Sequence, residues 1–328
     1  MSHYHLYAIG NALVDTEYEV SDAKLQAMGV SKRHMTLIDA DQRTALHKHV
    51  EGLHARRTGG GSAGNTVVAL AQLGGQAFYS CRVADDELGA FYTQDLQANG
   101  VATNLTHTQA HLGQTGSCMV LVTPDAERTM CTFLGATSQL DRHALHPHDI
   151  AKSQVYYMEG YLAASPTGLE AALEGLKTAR QHGVQTALTL SDVSMINFCR
   201  AGLEAMLAGG LDYLFANEEE AQVWCGSTDL EAIMAQLQKL ARTVCLTRGP
   251  KGCIVLCADE RIEVPAVPTQ AVDTNGAGDM FAGSFLYGIT HGQTAAQAAA
   301  LANRTAAAVV AQHGNRLTRE QMQALRQG

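Results

Sequence analysis

The stretch at residues 272–285, VDTNGAGDMFAGSF, constrains the fold of this chain more than any other. Its three small residues, Gly276, Ala277 and Gly278, let the backbone turn sharply and leave its N–H groups uncovered. The apolar run that follows predicts a buried helix. The sequence therefore predicts a helix whose N-terminus presents free N–H donors.

Such a helix start stabilises an anion, because it combines unpaired N–H groups with the positive end of the helix dipole. Asp279 lies in the first turn, where two interpretations fit. Its carboxylate either caps the turn or accepts a proton from an attacking hydroxyl. An anion site beside a carboxylate is what phosphoryl transfer requires. The segment alone leaves both interpretations open.

The net charge of −9 at pH 7 argues against nucleic acid or an anionic membrane as a partner, since neither would be attracted over long range. No apolar run approaches the length of a membrane span. The N-terminus lacks a basic region followed by an apolar core, so a cytoplasmic location is expected. Phosphate must then be bound locally, by backbone donors, a few basic side chains and a divalent metal.

The first apolar strand predicts a ligand contact at its carboxyl end. This strand, residues 6–11, stops at Gly10 and Asn11, and Asp15 follows shortly after. Proteins with parallel sheets place ligand contacts at the carboxyl ends of their strands. Asn11 and Asp15 are therefore candidate binding residues.

Several segments of the first half predict a small separate sheet. Residues 16–20 and 34–39 alternate polar and apolar side chains, and residues 116–133 form two strands about a polar turn. A sheet over about residues 14–40 and 112–135 is expected to project from the main body as a lid that excludes water from the site.

Arg128 lies beside the turn of that predicted lid. One interpretation gives it contact with a transferred phosphate, and the other leaves it solvated, as exposed arginines near turns commonly are. An exposed sheet face on the lid would also need cover. A homodimer formed through the lid is therefore expected.

A second glycine-rich segment, residues 59–66, precedes another apolar helix that ends at a glycine pair. Gly60 and Gly61 allow a ligand to approach the backbone. Asn65 offers both a donor and an acceptor to a hydroxyl group. A polar helix start without any ligand is the alternative explanation.

Strand and helix patterns alternate from residue 155 onward. Apolar strands near residues 155–160, 186–190 and 212–217 are separated by helical segments. This alternation predicts an α/β fold in which helices cover both faces of a mostly parallel sheet.

Two polar features follow strands in this half. Asn217 and Glu220 begin a helix, where their oxygens either organise the water shell of Mg²⁺ or merely compensate the helix dipole. The turn at residues 247–252 offers bare backbone to a nucleotide, although a simple hairpin explains it as well. Asn303 interrupts a helix of small residues and is a candidate for lining an adenine pocket.

Five motifs, in this order and at this spacing, resemble those of the ribokinase-like (phosphofructokinase-B-type) sugar and nucleoside kinases. The resemblance covers about residues 5–315, and the motifs are GNALVD at 10–15, GGSAGN at 60–65, NEEE at 217–220, TRGPKG at 247–252 and DTNGAGD at 273–279. It implies a three-layer α/β/α sandwich over residues 1–328 with a β-sheet lid. The implied activity is ATP-dependent transfer of the γ-phosphoryl group to a primary hydroxyl.

The resemblance also assigns roles to residues. Asp279 would be the general base beside an anion hole of Gly276, Ala277 and Gly278. Asn217 and Glu220 would hold the Mg²⁺–phosphate network mainly through water, and some relatives bind K⁺ near this loop. The residues implied in ATP binding are Asn217, Thr247, Gly249, Gly252, Gly276, Gly278 and Asn303. Those implied in substrate binding are Asn11, Asp15, Gly60, Gly61, Asn65 and Asp279.

The residues around Asn65 and the Glu127–Arg128 turn are similar to the adenosine-kinase branch of this family. The expected substrate is therefore a nucleoside, with adenosine first. The alternative is a free sugar of the ribose, fructose or 2-keto-3-deoxygluconate type. One departure, Asn275, replaces the threonine or glycine of many relatives and leaves the chemistry intact.

Two other classes of protein use similar features. A dinucleotide oxidoreductase would need Gly-x-Gly-x-x-Gly after the first strand, and that motif is absent there. A binding protein on the same scaffold would be expected to lack the base, whereas Asp279 and its small neighbours are present. The kinase interpretation is favoured over both.

Overall fold

The structure is a computed structural model that describes residues 3–32, 35–105, 113–125, 127–257 and 260–327. Its strands are β1 Tyr4–Ile9, β2 Leu13–Glu19, β3 Met35–Leu37, β4 Ala55–Gly60, β5 Ala77–Ser80, β6 Val101–Thr103, β7 Ser117–Val122, β8 Arg128–Phe133, β9 Ser153–Glu159, β10 Gln185–Thr189, β11 Leu211–Asn217, β12 Ala241–Thr247, β13 Cys253–Cys257 and β14 Glu260–Val264.

Its α-helices are α1 Asp22–Ala27, α2 Ala40–Val50, α3 Ser62–Gln72, α4 Glu87–Ala98, α5 Pro147–Ala151, α6 Pro166–Gln181, α7 Val193–Phe198, α8 Arg200–Leu207, α9 Glu218–Cys225, α10 Leu230–Leu237, α11 Ala277–Thr290, α12 Ala295–Val310 and α13 Arg319–Gln327. Short 3₁₀ turns lie at Gly135–Gln139, Arg142–Ala144, Gly160–Ala164 and Gly249–Lys251.

The central sheet of the described chain has nine strands in the order β14-β13-β12-β11-β10-β9-β1-β5-β6. The strands from β12 to β6 run parallel, and β13 and β14 pair antiparallel at one edge. Because parallel strands end at the same edge, the carboxyl ends of β1, β9, β10, β11 and β12 lie side by side. The residues that follow these strands therefore meet in one place.

Two apolar clusters pack on opposite faces of this sheet. Along β1, Leu6 and Ala8 belong to one cluster, while Tyr7 and Ile9 belong to the other, because successive side chains point to opposite faces. The first cluster includes residues of α3, α11 and α12, and the second includes residues of α6, α8 and α10. The predicted α/β/α sandwich is confirmed.

The smaller sheet has the strand order β3-β8-β7-β2-β4 among the described residues. The predicted lid segments supply four of these strands, and residues 33, 34, 112 and 126 of those segments lie outside the described residues. The prediction omitted β4, which pairs antiparallel with β2 from Ala55 to Gly60. Its sequence, ARRTGG, has no apolar alternation and ends in glycines, so the pattern resembled a loop.

One face of the small sheet is already covered by this chain. Tyr18, Met119 and Leu121 on that face form an apolar cluster with residues of α1 and α2, including Leu25 and Leu46. The homodimer prediction rested on an exposed sheet face; these helices cover one face, while Met35 and Leu37 on β3 stay exposed. Dimerisation through the lid stays a prediction.

Within the described ranges, no helix combines the length and the apolar character needed to cross a membrane.

Candidate active site

A cavity of about 620 Å³ lies between the carboxyl edge of the central sheet and the lid. Most of the residues predicted from the sequence line it: Asn11, Asp15, Gly61, Asn65, Asn217, Glu220, Thr247, Gly276, Gly278 and Asp279. The topology therefore brings together residues from five segments that are far apart in sequence.

The N-terminus of α11 opens into this cavity. Gly276 is the N-cap residue with φ 76°, a left-handed backbone that favours glycine. A Cβ at this position would stand 2.5 Å from the carbonyl oxygen of Asn315. Asp273 fixes the preceding loop, because its carboxylate accepts hydrogen bonds from the backbone N–H groups of Asn275 and Gly314. The first turn of α11 is thus held without a side-chain cap, as an anion site requires.

Asp279 faces the cavity from the first turn of α11 and is held by two donors on α3. The Ser62 hydroxyl donates to its Oδ1 at 2.6 Å, and the Asn65 amide nitrogen donates to its Oδ2 at 2.9 Å. Burial raises the pKa of Asp279 to about 6, while both hydrogen bonds and the Arg316 charge oppose that rise. The carboxylate is oriented by these bonds, and sequence reasoning did not assign Ser62 to the site.

Asp15, on β2 of the small sheet, is half-buried in the cavity lining. Its Oδ2 accepts a hydrogen bond from the Asn315 side chain at 2.9 Å. Burial raises the pKa of Asp15 to about 7, and the positive charges of Arg316 and Arg128 act against that rise. Gly60 pairs with Leu13 on the neighbouring strand, and a Cβ on Gly60 would come within 2.6 Å of the Asp15 carboxylate. Gly60 therefore makes room for Asp15 and does not itself line the cavity.

Glu159 is a fully buried carboxylate that the sequence reasoning missed. It ends β9 and accepts hydrogen bonds from the backbone N–H groups of Asn11 and Ala63, both at 2.8 Å. Burial raises the pKa of Glu159 to about 7. Glu159 thus ties the end of β1 to the start of α3. An acidic residue closing the apolar strand VYYME was the available signal.

Asn217 and Glu220 form a capping box at the start of α9. The Asn217 Oδ1 accepts from the Glu220 backbone N–H, while the Glu220 carboxylate accepts from the backbone and side-chain nitrogens of Asn217. Burial raises the pKa of Glu220 to about 7. Both carboxylate oxygens already accept hydrogen bonds, so contact with Mg²⁺ through water fits this pair better than direct coordination.

Arg128 does not line the main cavity. Its guanidinium forms one ion pair with Glu17 on β2 and another with Asp273, each at 2.7 Å. Arg128 therefore joins the lid to the loop before α11 and is neither solvated nor placed against the cavity. Its predicted contact with phosphate stays a prediction.

Gly249, Gly252 and Asn303 also lie outside the cavity lining. Asn303 donates from its side-chain nitrogen to the carbonyl oxygens of Val264 and Pro265, at 3.1 and 3.0 Å. Gly249 and Gly252 belong to the turn between β12 and β13. Of the residues predicted around this turn, Thr247 reaches the cavity. The predicted contacts of the other three with ATP remain predictions.

Apolar side chains of the small sheet line part of the cavity. Met35 and Leu37 on β3 are 43% and 58% exposed, although both are large and apolar. They line the cavity together with Met130 and Leu134. Exposed apolar side chains grouped in a cavity mark a surface that an apolar ligand group can cover. We refer to these four residues as the lid wall.

Comparison with protein families agrees with this geometry. The model of the pfkB family of carbohydrate kinases matches residues 30–322 of the chain. The chain is also 29% identical to ribokinase from Mus musculus over 70% of each protein.

Two solved structures share the whole architecture. The chain is 36% identical to adenosine kinase from Sinorhizobium meliloti, covering 99% of both chains with a TM-score of 0.88. It is 34% identical to a probable sugar kinase from Rhizobium etli CFN 42, covering 98% of both chains with a TM-score of 0.89. One of these relatives is named as a kinase of adenosine and the other as a probable kinase of a sugar, so their names state different acceptors.

Proposed function

The chain belongs to the pfkB family of carbohydrate kinases and is a phosphotransferase that acts on an alcohol group, and from this premise we propose that its acceptor is the primary hydroxyl of a ribose-containing nucleoside, adenosine first. ATP is the proposed phosphoryl donor. The observation that carries the proposed chemistry is the Asp279 carboxylate, fixed by two hydrogen bonds beside the open N-terminus of α11.

In the proposed mechanism, Asp279 removes the proton of the acceptor hydroxyl as its oxygen attacks the γ-phosphorus. The bond from that phosphorus to the bridging oxygen of ATP breaks, and ADP leaves with the electron pair. Backbone N–H groups at Gly276, Ala277 and Gly278 stabilise the charge on the phosphoryl oxygens. Asp15 and Asn11 bind the sugar hydroxyls and so hold the acceptor at Asp279.

Magnesium fits the acidic start of α9. Mg²⁺ bound with ATP would neutralise charge on the phosphates. Asn217 and Glu220 would hold it through water. Their oxygen atoms are hard ligands that suit Mg²⁺, but these atoms already accept hydrogen bonds within the capping box. No group of three or more His, Cys, Asp or Glu side chains in the described ranges could hold a metal ion. This fits an ion that arrives with ATP, and the K⁺ site stays a prediction.

The pH dependence of kcat/KM follows from two carboxyl groups. Asp15, with a pKa of about 7, and Asp279, with a pKa of about 6, both act as carboxylates in this mechanism. We expect kcat/KM to decline as the pH falls below about 7 and to decline more steeply below about 6. Steady-state kinetics across this range measure the effect. In Asp15→Asn the upper step should become shallower but not vanish, because Glu220, whose pKa is also about 7, still titrates there. A flat profile in the wild type would contradict the assignment.

The lid wall supports a nucleoside over a free sugar. A sugar presents hydroxyl groups on every side, whereas a nucleobase presents flat apolar faces that can cover Met35 and Leu37. Asp15 and Asn65, which line the same cavity, suit hydroxyl groups. A ligand with one polar end and one apolar end therefore matches the cavity best.

Leu37→Asn tests this assignment with little cost in folding, because Leu37 is 58% exposed. We expect KM for adenosine to rise roughly tenfold with kcat nearly unchanged, as an apolar contact is lost in substrate and transition state alike. An unchanged KM for adenosine would remove the lid wall from the acceptor site. A free sugar turned over by both proteins with the same KM would favour the alternative substrate class.

A further inference from the structure

We propose that Arg316 is a positioning residue for Asp279, acting through Asn65. In this account Arg316 holds the Asn65 amide in the one orientation that presents its N–H₂ group, and not its oxygen, to the Asp279 carboxylate. The inference rests on the proposed role of Asp279 as the base.

Two contacts connect Arg316 to Asp279, and a third anchors Arg316. The Arg316 Nε donates to the Asn65 Oδ1 at 2.8 Å, and the Asn65 Nδ2 donates to the Asp279 Oδ2 at 2.9 Å. A terminal nitrogen of Arg316 also contacts the Asp95 carboxylate at 2.5 Å, which anchors the guanidinium to α4. The Arg316 side chain is 9% exposed and Asn65 is 4% exposed, so the chain of contacts is shielded from water.

The order of donors and acceptors fixes the amide. A guanidinium only donates hydrogen bonds, so the Asn65 group that faces it must be the oxygen. The amide nitrogen then points to Asp279. A flipped amide would set its oxygen against the carboxylate and its nitrogen against the guanidinium, losing both hydrogen bonds at once. Arg316 therefore determines that Asn65 stabilises the ionised form of Asp279.

The same segment serves both carboxylates of the acceptor site. Asn315, the preceding residue, donates to Asp15, while Arg316 acts on Asp279 through Asn65. Both residues lie between α12 and α13, outside every motif singled out in the sequence. This short segment sets the orientation of both side chains that the mechanism requires to be ionised.

Charge acts in the same direction as the hydrogen bonds. Arg316 is the cation that lowers the pKa of Asp279 against the effect of burial. The other charged groups coupled to Asp279 are the carboxyls of Asp15, Glu159 and Glu220. Loss of Arg316 would leave Asp279 among these acidic groups. Its proton affinity would then rise, and the acidic limb of the rate profile would move to higher pH.

The test compares Arg316→Gln with Asp95→Asn as a matched control. Both substitutions break the partly buried Arg316–Asp95 ion pair, so both should lower the melting temperature, but Asp95→Asn keeps the Arg316 contact with Asn65. We expect kcat to fall about 10- to 100-fold in Arg316→Gln, with KM for adenosine changed less. The acidic limb of the pH–rate profile should shift to higher pH in Arg316→Gln and stay in place in Asp95→Asn. All assays are run well below the lower melting temperature.

Asn65→Asp gives a second, independent measurement, which carries the test if Arg316→Gln does not fold. The new carboxylate still accepts a hydrogen bond from Arg316 but offers no donor to Asp279. We therefore expect kcat to fall and the acidic limb of the pH–rate profile to move to higher pH here as well. Equal kinetics in Arg316→Gln and Asp95→Asn, or wild-type kcat in Asn65→Asp, would overturn the proposal. Failure of the proposed base gives a different result, since Asp279→Asn would then keep wild-type turnover.

Discussion

Asp279→Asn should lose about 100- to 10,000-fold in kcat while ATP binds nearly as tightly as in the wild type, because only the proton acceptor is removed. The fold around it should persist. The new amide oxygen can accept from Asn65, and the new amide nitrogen can donate to the Ser62 hydroxyl, which accepts as well as donates. Single-turnover phosphoryl transfer and ATP titration measure the two quantities separately.

Ser62→Ala is the control for this experiment. It removes one hydrogen bond to Asp279 but leaves the carboxylate, so its kcat should fall far less than that of Asp279→Asn. Turnover near the wild-type value in Asp279→Asn would contradict a base at this position. It would leave the carboxylate with a structural role as the acceptor of the Ser62 and Asn65 hydrogen bonds.

Gly276→Ala should impair both stability and phosphoryl transfer. Gly276 has φ 76°, where an L-residue costs about 1–2 kcal/mol, and its new Cβ would collide with the Asn315 carbonyl oxygen 2.5 Å away. The collision displaces the start of α11, and with it the N–H groups proposed to face the phosphoryl oxygens. We expect a lower melting temperature and a loss of kcat of about 100-fold or more.

Gly278→Ala is the control for the effect on stability. It adds the same methyl group two residues further along, where no collision with the backbone is expected. A Cβ at Gly278 meets no heavy atom within 4 Å, and Ala is about 1 kcal/mol better than Gly inside a helix. Its melting temperature should therefore equal or exceed that of the wild type. Wild-type kcat in a folded Gly276→Ala protein would remove the α11 start from the reaction.

The structural features that were predicted correctly depend on neighbours in sequence. The start of α11 follows from three small residues before an apolar run, and the start of α9 follows from an acidic polar run directly after an apolar strand. The parallel sheet follows from the alternation of strands and helices. Each of these features is specified within about a dozen residues, so a local pattern was sufficient.

The parts that were missed depend on distance. Ser62 meets Asp279 across 217 positions of sequence, and Glu159 meets Asn11 across 148. No local pattern distinguishes a serine that orients a carboxylate from one that begins a helix. Asn65 was predicted to bind the substrate, but its hydrogen bonds to Arg316 and Asp279 emerge from the folded chain alone.

The lid was predicted in part for a related reason. Its alternating strands were recognised, but β4 carries two glycines where a strand pattern needs side chains. Gly60 is required there because the Asp15 carboxylate occupies the space of a Cβ. The strand thus lacks, for a steric reason, part of the side-chain pattern by which a strand is recognised.

The most direct test of the account is transfer of label from γ-³²P-ATP, with Mg²⁺, to a panel of acceptors: adenosine, other nucleosides, ribose, fructose and 2-keto-3-deoxygluconate. We expect the label to appear on the primary hydroxyl of adenosine, with the highest kcat/KM of the panel, and to be absent with Asp279→Asn. Label on a free sugar with adenosine unlabelled would contradict the nucleoside assignment and keep the kinase. Label on adenosine at the same rate with Asp279→Asn would contradict the mechanism itself.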